Sequence, residues 1–440
     1  QLSYGQRRLW VLYQLNPTSV AYNMPARMVI NEVVEPELIQ RVFKKLVARH
    51  ESLRTRFMLI DGYPVQVIDE KGEFLFRVED ITDSIEKKKR REEIFEEITS
   101  QPFDLTTGPL LKVILVKIEE DMYELIMTMH HIITDGWSIN LLQQEFSQIY
   151  QGLKDNGDWK LPELNIQYKD FATWQNRILD DPEKLEEIIE FWANQLEEPV
   201  SELQLPKNEL ANIDDRSSSA YRFVIPEEIS SQLKDIAKEH QASLFITLLS
   251  AFNLFLVKIT EQRDLIVGIP AASRDHQDLK NIVGFFVNTV IVRTKIDPQE
   301  NFSKYLDRMR DNTLQVLEYQ SFPLELILEK IGMDYPEISV FFNMTNLFDS
   351  EGEELENTEA YHLENVQDVK FDIACYLNEF KNGIEVQCHY VKNLFDPETI
   401  EYMMAEYLKI LTKIGQNSDN KVASYYRKRR RRRVIPGIKP

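Results

Sequence analysis

The residues best suited to chemistry lie in one short stretch, where two adjacent histidines end a predicted strand and an Asp-Gly pair precedes a predicted helix. The stretch reads Met129-His130-His131-Ile132-Ile133-Thr134-Asp135-Gly136-Trp137-Ser138. Adjacent strand residues point to opposite faces, so only one of the two histidines can readily face a given cleft. Histidine is the side chain best suited to moving a proton near neutral pH. The pattern therefore indicates a proton-transfer site at the end of this strand.

Three simpler interpretations stay open for the same residues. Adjacent strand positions are poorly placed to chelate one ion, and no third ligand follows at a familiar spacing, so we expect no metal site. The two histidines are also typical of packed polar residues at a strand end. Asp135 is typical of a turn, and Gly136 allows either a close ligand approach or a positive φ. Each simple interpretation suffices for a single residue, whereas the combination favours a catalytic site.

Strands and helices alternate around this stretch and must position it. In the first half, periodicity predicts strands at 27–34, 54–60, 65–68, 110–118 and 123–129, and helices at 37–49, 85–100 and 138–153. In the second half, it predicts strands at 221–225, 375–380 and 384–390, and helices at 229–239 and 397–411, with a further helix at 183–198 in the connection between the halves. Ser138 is the predicted cap of the helix that follows the histidines. The second half repeats the order of the first, which predicts two similar lobes, each a sheet covered by helices. Chance similarity of two α/β halves is the alternative.

Length and charge set the expected organisation. We predict an N-terminal lobe at 1–175 with the histidine motif, a connection at 176–218, a C-terminal lobe at 219–420 and a basic tail or linker at 421–440. The net charge of the 440 residues is -20, although residues 427–433 are all basic. So acidic a chain is a poor binder of phosphate backbones, and we expect no nucleic-acid partner.

The remaining composition points to a cytoplasmic setting. No apolar run approaches membrane-spanning length, so we expect no membrane partner. Gln1 and the residues after it show no signal peptide. The two cysteines, Cys375 and Cys388, form no metal-ligand spacing and no disulfide framework, which fits a reducing compartment.

Six segments resemble, in order, the motifs of one enzyme family, and they span nearly the whole chain. The stretch 130–136 resembles the His-His-x-x-x-Asp-Gly signature of nonribosomal peptide synthetase condensation domains, which chloramphenicol acetyltransferase-like acyltransferases share more loosely. Two earlier segments are similar to the first motifs: Leu2-Ser3-Tyr4-Gly5-Gln6-Arg7-Arg8-Leu9-Trp10 and Arg49-His50-Glu51-Ser52-Leu53-Arg54-Thr55-Arg56-Phe57. Three later segments are similar to later motifs: Tyr168-Lys169-Asp170-Phe171-Ala172-Thr173-Trp174, Val283-Gly284-Phe285-Phe286-Val287-Asn288-Thr289 with Arg293, and Tyr319-Gln320-Ser321-Phe322-Pro323-Leu324-Glu325. The last of these departs from the usual pattern at Ser321 and Leu324, and the family's final motif is barely recognisable at 334–338.

The resemblance implies a fold and a catalytic centre. The fold would be α/β, with two chloramphenicol acetyltransferase-like lobes forming a V-shaped pseudo-dimer around a central tunnel. His131 would face the tunnel and either accept a proton from an acceptor amine or hold that amine by a hydrogen bond as it attacks a thioester. His130 would point away and support the strand. The implied catalytic set is His131, His130, Asp135 and Gly136, whose N–H would help to stabilise the tetrahedral oxyanion.

Other residues take supporting roles by the same resemblance. Asp135 would be paired with an arginine, for which Arg274 is the candidate, although an ordinary surface arginine is an equal alternative. Arg54 and Arg56 alternate with hydrophobic residues on a predicted strand, where one would support the cleft. The implied tunnel or substrate residues are Trp137, Ser138 and Asn288, with a packed indole as the alternative for Trp137.

The implied activity is amide-bond formation between two carrier-bound substrates. A carrier-bound acceptor amine would attack a donor thioester, with an L-configured aminoacyl or peptidyl donor expected from 51–57 and 21–25. The partners would be donor and acceptor peptidyl carrier domains and an adjacent adenylation domain. Phosphopantetheine arms would deliver the substrates, with no bound cofactor, and the excised domain would be monomeric.

Four other activities compare differently with the sequence. A starter domain that N-acylates the first amino acid with a fatty acyl group stays open, as do a catalytically silent docking platform and a free-standing acyltransferase using coenzyme A. The intact histidine motif argues against the platform. A heterocyclisation domain would have aspartate in place of His130.

Overall fold

The computed structural model describes residues 1–157, 159–179, 181–197, 200–208, 216–274, 276–332, 336–344 and 370–426. The basic run at 427–433 and residues 334–335 of the predicted last motif lie outside these ranges. The described helices are α1 Tyr4–Leu15, α2 Pro36–Arg49, α3 Lys87–Thr99, α4 Gly136–Asn156, α5 Tyr168–Leu179, α6 Pro182–Gln195, α7 Glu227–Glu239, α8 Leu244–Thr260, α9 Phe302–Glu318, α10 Leu324–Ile331, α11 Pro397–Gln416 and α12 Ala423–Tyr426. The described strands are β1 Asn23–Ile30, β2 Thr55–Ile60, β3 Tyr63–Ile68, β4 Leu75–Asp80, β5 Leu111–Glu119, β6 Met122–His130, β7 Ser218–Pro226, β8 Asp264–Ala271, β9 Asn288–Lys295, β10 Val340–Met344, β11 Ile373–Phe380 and β12 Gly383–Val391.

The two larger sheets share the arrangement of four strands. The first sheet is ordered β1-β6-β5-β4 and the second β7-β12-β11-β10-β8-β9. In the first sheet, β6 is antiparallel to both β1 and β5, and β4 is parallel to β5. In the second sheet, β12 is antiparallel to both β7 and β11, and β10 is parallel to β11. The repeat found in the sequence therefore corresponds to the same four-strand arrangement in both halves.

Local sequence explains most of these elements. Helix α2 begins with Pro36 and buries one face through Ile39, Val42, Phe43, Leu46 and Val47. The hairpin β2–β3 turns at Asp61 and Gly62, whose φ angles are 53° and 82°; both values lie in the left-handed region that two-residue hairpin turns require. Strand β1 occupies 23–30 instead of the predicted 27–34, because it pairs residue by residue with β6 from His130 to Tyr123.

Each of the two larger sheets has a main hydrophobic core, and one segment of the second half belongs to the first of these cores. We call residues 276–287, between β8 and β9, the crossing segment. Its buried residues Leu279, Ile282, Val283, Phe285 and Phe286 join the core of the first sheet. Conversely, Ile188, Trp192, Leu196, Leu203 and Leu205, all within the predicted connection 176–218, are buried in the second core. The two halves are thus joined by packing as well as by the chain.

No single described helix is long and apolar enough to cross a membrane. Helices α7 and α8, bent by 107° between them, are together long and apolar enough for a membrane span by length and composition alone. The side chains of α8 from Phe245 to Val257 are buried in the second core. This packing accounts for the apolar character of α8 on all sides.

Candidate active site

The imidazole of His131 lies directly after β6, in a short 3₁₀ turn at His131–Ile133. Its Nδ1 lies 2.7 Å from the carbonyl oxygen of Thr134. A carbonyl only accepts, so Nδ1 carries the proton and donates it. No other described residue hydrogen-bonds the opposite nitrogen, Nε2, which in this tautomer has a free lone pair. Burial lowers the pKa of His131, against the opposing effect of the Thr134 carbonyl. The ring is therefore neutral at neutral pH and can accept a proton at Nε2.

His130 points to the other face of the strand, as alternation requires. It is 4% exposed, and its Nδ1 accepts a hydrogen bond from the backbone N–H of Ile132 at 3.1 Å. Its ring stands edge-on to Phe103 with centroids 6.2 Å apart. Burial, with a smaller effect from His131, lowers the pKa of His130 to about 3. His130 thus lies in the core of the first lobe as a neutral side chain, and His131, in the turn after the strand, is the less buried of the two.

Asp135 begins helix α4. Its carboxylate accepts a hydrogen bond from the backbone N–H of Ser138 at 2.8 Å, so Asp135 is the N-cap. The prediction that Ser138 caps this helix was wrong, because Asp135 already holds the extended backbone and the short acceptor side chain that the position requires. The Asp-Gly pair is a helix start and not merely a turn.

Arg274 reaches Asp135 from the second half of the chain. Its Nη2 lies 3.1 and 3.2 Å from the two carboxylate oxygens, so the ion pair that the sequence suggested is present. Nη1 of Arg274 also donates to the carbonyls of Leu279 and Ile282, both at 2.6 Å. The guanidinium is stacked over the ring of Phe286 at 3.9 Å. A buried arginine with these partners is a structural link between the two halves.

Ser138 and Trp137 both bind the crossing segment. The Ser138 hydroxyl donates to the carbonyl of Gly284 and accepts from its N–H, both at 3.1 Å, and it also accepts from Arg274 at 2.9 Å. The indole of Trp137 donates to the carbonyl of Lys280 at 2.9 Å. The structure therefore places these two predicted tunnel residues at the contact between the halves.

Gly136 is the first residue of α4 and is exposed. A Cβ added there would have no atom within 4 Å, and Gly136 does not have a positive φ. Of the two alternatives for Gly136, the positive φ is therefore excluded, since the helix start uses ordinary backbone angles. The open space beside Gly136 fits the other interpretation, a close approach by a ligand.

Three further predicted residues, Arg54, Arg56 and Asn288, bind other parts of the chain. Arg54 ends a 3₁₀ turn at Glu51–Arg54 and is not on a strand; its guanidinium donates to the carbonyl of Asp69 at 2.8 Å. Arg56, on β2, lies 3.2 Å from the carboxylate of Asp69. The amide of Asn288 donates to the carbonyls of Gln320 and Phe322, both at 2.9 Å. The two arginines brace the segment after β3, and Asn288 braces the loop before α10.

The second half contains a histidine, His389, near the end of the corresponding strand. His389 on β12 is 3% exposed and stands edge-on to Tyr376. Burial lowers the pKa of His389 to about 4. Among the described residues, no group of three or more histidine, cysteine and acidic side chains could hold a metal ion.

Sequence reasoning missed Phe285 and Tyr168 as parts of this site. The ring of Phe285 stands edge-on to His131, with centroids 4.8 Å apart and an interplanar angle of 72°. The hydroxyl of Tyr168 donates to the carbonyl of Phe285 at 2.6 Å and also contacts the Ser3 hydroxyl at 2.7 Å. Both residues belong to segments that resembled family motifs, which was the available signal.

Comparison with solved structures defines the class of the fold. The condensation domain of the monacolin K polyketide synthase MokA matches with a TM-score of 0.80 and 17% identity over 96% of this chain and 98% of that one. The X-domain in complex with OxyB from teicoplanin biosynthesis also matches with a TM-score of 0.80, at 20% identity over 96% and 95% of the two chains. The chain therefore has the two-lobed, chloramphenicol acetyltransferase-like fold of condensation-domain structures, as the sequence predicted.

Sequence comparison gives the family. The family model described as "Condensation domain" matches residues 1–430. Gramicidin S synthase 2 from Brevibacillus brevis is 34% identical over 430 residues, which are 96% of this chain and 9% of that protein. The chain belongs to the condensation-domain family, the amide-bond-forming acyltransferases of nonribosomal peptide synthetases. Such domains act on carrier-bound substrates. The chain spans only about a tenth of the length of this relative.

Proposed function

We propose that this domain joins a carrier-bound donor acyl group to the amine of a carrier-bound acceptor amino acid, with His131 as the group that receives the proton. The single observation that carries this role is the hydrogen bond from Nδ1 to the Thr134 carbonyl. It fixes the tautomer whose Nε2 is a base, and burial keeps that ring neutral. A neutral imidazole with a free Nε2 is what a general base near neutral pH requires.

The reaction is balanced through this one nitrogen. The acceptor nitrogen forms a bond to the thioester carbonyl carbon while Nε2 of His131 takes one amine proton. The tetrahedral intermediate then expels the donor thiolate, and the same proton leaves as the thiol S–H. The group that would stabilise the oxyanion is the backbone N–H of Gly136. It lies at the start of α4, where the helix dipole favours negative charge. If His131 only holds the amine by a hydrogen bond, orientation supplies the rate instead.

The proposed partners are a donor and an acceptor peptidyl carrier domain, with an adenylation domain adjacent in the longer protein. Phosphopantetheine arms on the carriers would bring both substrates to His131 along a tunnel between the lobes, and no further cofactor is needed. We propose an L-configured aminoacyl or peptidyl donor, on the resemblance of 51–57 and 21–25 to domains with that preference. A monomer in the cytoplasm is the corresponding state of the excised domain.

The test is a condensation assay followed by intact-protein mass spectrometry. One carrier is loaded with an L-aminoacyl, D-aminoacyl or fatty acyl group, the other with an amino acid, and the domain is added. We expect product with an L-aminoacyl donor from the native domain and its loss in His131→Ala. His240→Ala is the matched control, since His240 pairs with Asp307 in the second lobe, and it should keep full activity.

Each other outcome has a definite meaning. Product only with the fatty acyl donor would identify a starter domain. Equal product from the native domain and His131→Ala would contradict the proposed role of His131. No product with any donor would favour a silent docking platform; the teicoplanin X-domain, which shares this fold, forms a complex with OxyB.

A further inference from the structure

We infer that Phe285 is a positioning residue for the proton transfer at His131: the edge-on ring contact fixes the direction in which Nε2 points. The inference rests on the proposed role of His131. The hydrogen bond from Nδ1 to Thr134 anchors one edge of the imidazole. A single hydrogen bond still allows the ring to rock about that anchor. The Phe285 ring, with its centroid 4.8 Å from that of the imidazole and inclined by 72° to it, has the edge-to-face geometry that aromatic rings prefer. This contact limits the rocking.

Phe285 is itself held rigidly from the first lobe. It is 4% exposed, and its carbonyl accepts the hydrogen bond of the Tyr168 hydroxyl at 2.6 Å. The next backbone N–H, of Phe286, donates to the Asp135 carboxylate at 3.1 Å. The ring also fills the space beside Gly5, where an added Cβ would lie 2.9 Å from Cε1 of Phe285. A ring fixed on its backbone and on one face can in turn fix a neighbour.

A closed set of contacts connects this ring to the start of the chain. Ser3 caps helix α1, and its hydroxyl contacts the Tyr168 hydroxyl that binds Phe285. The same helix places Gly5 against the Phe285 ring, and the side-chain amide of Gln6 donates to the carbonyl of Ile132, one residue after His131, at 3.1 Å. Helix α1 and the crossing segment thus enclose the imidazole from two sides.

The charged groups around His131 are few, which makes its titration a usable readout. Burial is the largest cause of the lowered pKa of His131. Of the neighbouring charges, Asp135 acts to raise this pKa and Arg8 acts to lower it. Asp135 is compensated by Arg274, and His130 on the adjoining position is neutral. Removing the Phe285 ring changes none of these charges but admits water to the imidazole. The pKa of His131 should then rise towards its ordinary value.

The experiment compares Phe285→Leu with Phe146→Leu. Phe146 lies in the same core, on α4, 5% exposed and packed against Phe43 and Tyr150, so its replacement removes a similar ring without touching His131. We expect Phe285→Leu to lower kcat about tenfold or more with KM little changed, since a displacement of about 1 Å can cost about a hundredfold. Phe146→Leu should keep kcat. NMR titration of the histidine rings, assigned with His131→Gln, should show the pKa of His131 raised only in Phe285→Leu.

Two results would overturn the inference, and the first of them needs no substrate. An unchanged His131 titration in a folded Phe285→Leu domain would show that the ring does not shield the imidazole. Equal kcat losses in Phe285→Leu and Phe146→Leu would show that Phe285 acts only through the core. If native protein forms no product with any donor, the proposed function fails, while the titration still decides whether Phe285 controls His131.

Discussion

The guanidinium of Arg274 lies 3.1 Å from the carboxylate of Asp135, with 2% and 3% of the two side chains exposed. The residues are 139 positions apart in the chain. The same carboxylate caps helix α4 and accepts the backbone N–H of Phe286. One buried side chain therefore sets the helix start beside His131, the position of the crossing segment and the contact between the halves.

Arg274→Ala should be strongly destabilising. It leaves the Asp135 carboxylate buried without its partner, which typically costs about 3–5 kcal/mol. Denaturant unfolding followed by circular dichroism measures this loss. Arg56→Ala is the control, because its partner Asp69 is about half exposed, and a pair of that kind contributes about 1 kcal/mol at most. Similar losses in both variants would contradict a structural role for the Asp135–Arg274 pair.

The rate enhancement that depends on His131 should persist in mildly acidic solution. Burial lowers the pKa of His131, and the imidazole is a base only above its pKa, so the active form extends below the ordinary value of about 6.5. The measurement is the ratio of the native rate to the His131→Ala rate across pH, in which the ionisation of the acceptor amine cancels. A ratio that already falls above pH 6.5 would show that the ring is not shielded.

Gly136→Ala and Gly284→Ala should separate chemistry from packing. At Gly136 an added Cβ meets nothing within 4 Å, so the melting temperature should stay unchanged while activity falls if a substrate carbonyl approaches the helix start. At Gly284 the same Cβ would lie 2.0 Å from Cδ2 of Tyr168, an overlap that typically costs about 1–3 kcal/mol. Thermal unfolding and the condensation assay check both. Full activity in Gly136→Ala would rule out a close approach there.

The buried His130 should make the protein less stable in acid. Burial lowers the folded-state pKa of His130 to about 3, whereas the unfolded chain protonates it near 6.5. Between these values the unfolded state binds the extra proton, so the free energy of unfolding falls by up to about 1.4 kcal/mol per pH unit as pH decreases. His130→Asn should have a shallower pH dependence between pH 6.5 and 4 in urea titrations. An identical slope would show that other groups control acid stability.

Local patterns in the sequence predicted local structure well. The helices α2 and α7 and the hairpin β2–β3 lie within about two residues of their predicted bounds, because amphipathic spacing and an Asp-Gly turn are short-range signals. The wrong cap at Ser138 has the same origin: Asp135 and Ser138, three positions apart, both have capping side chains, and only the fold shows that Asp135 takes the position.

Long-range contacts in the site were beyond such patterns. Phe285 lies in the crossing segment, in the other half of the chain from His131. Nothing in the periodicity around either residue indicates the contact between their rings. Arg274 was proposed only through the family resemblance. The two similar lobes that the repeat predicted are present, since the order β1-β6-β5-β4 of the first sheet recurs as β7-β12-β11-β10 in the second.

The crossing segment has a consequence for exchanging parts between related proteins. A chimaera joined within 176–218 would take residues 276–287 from its second parent and the surfaces that receive them, Ser52, Ser138 and Tyr168, from its first. The recombined halves would each keep a complete sheet and still lose the fit around His131. A transplant boundary that respects the active centre must therefore carry two separate pieces of chain, the first half together with the loop between β8 and β9.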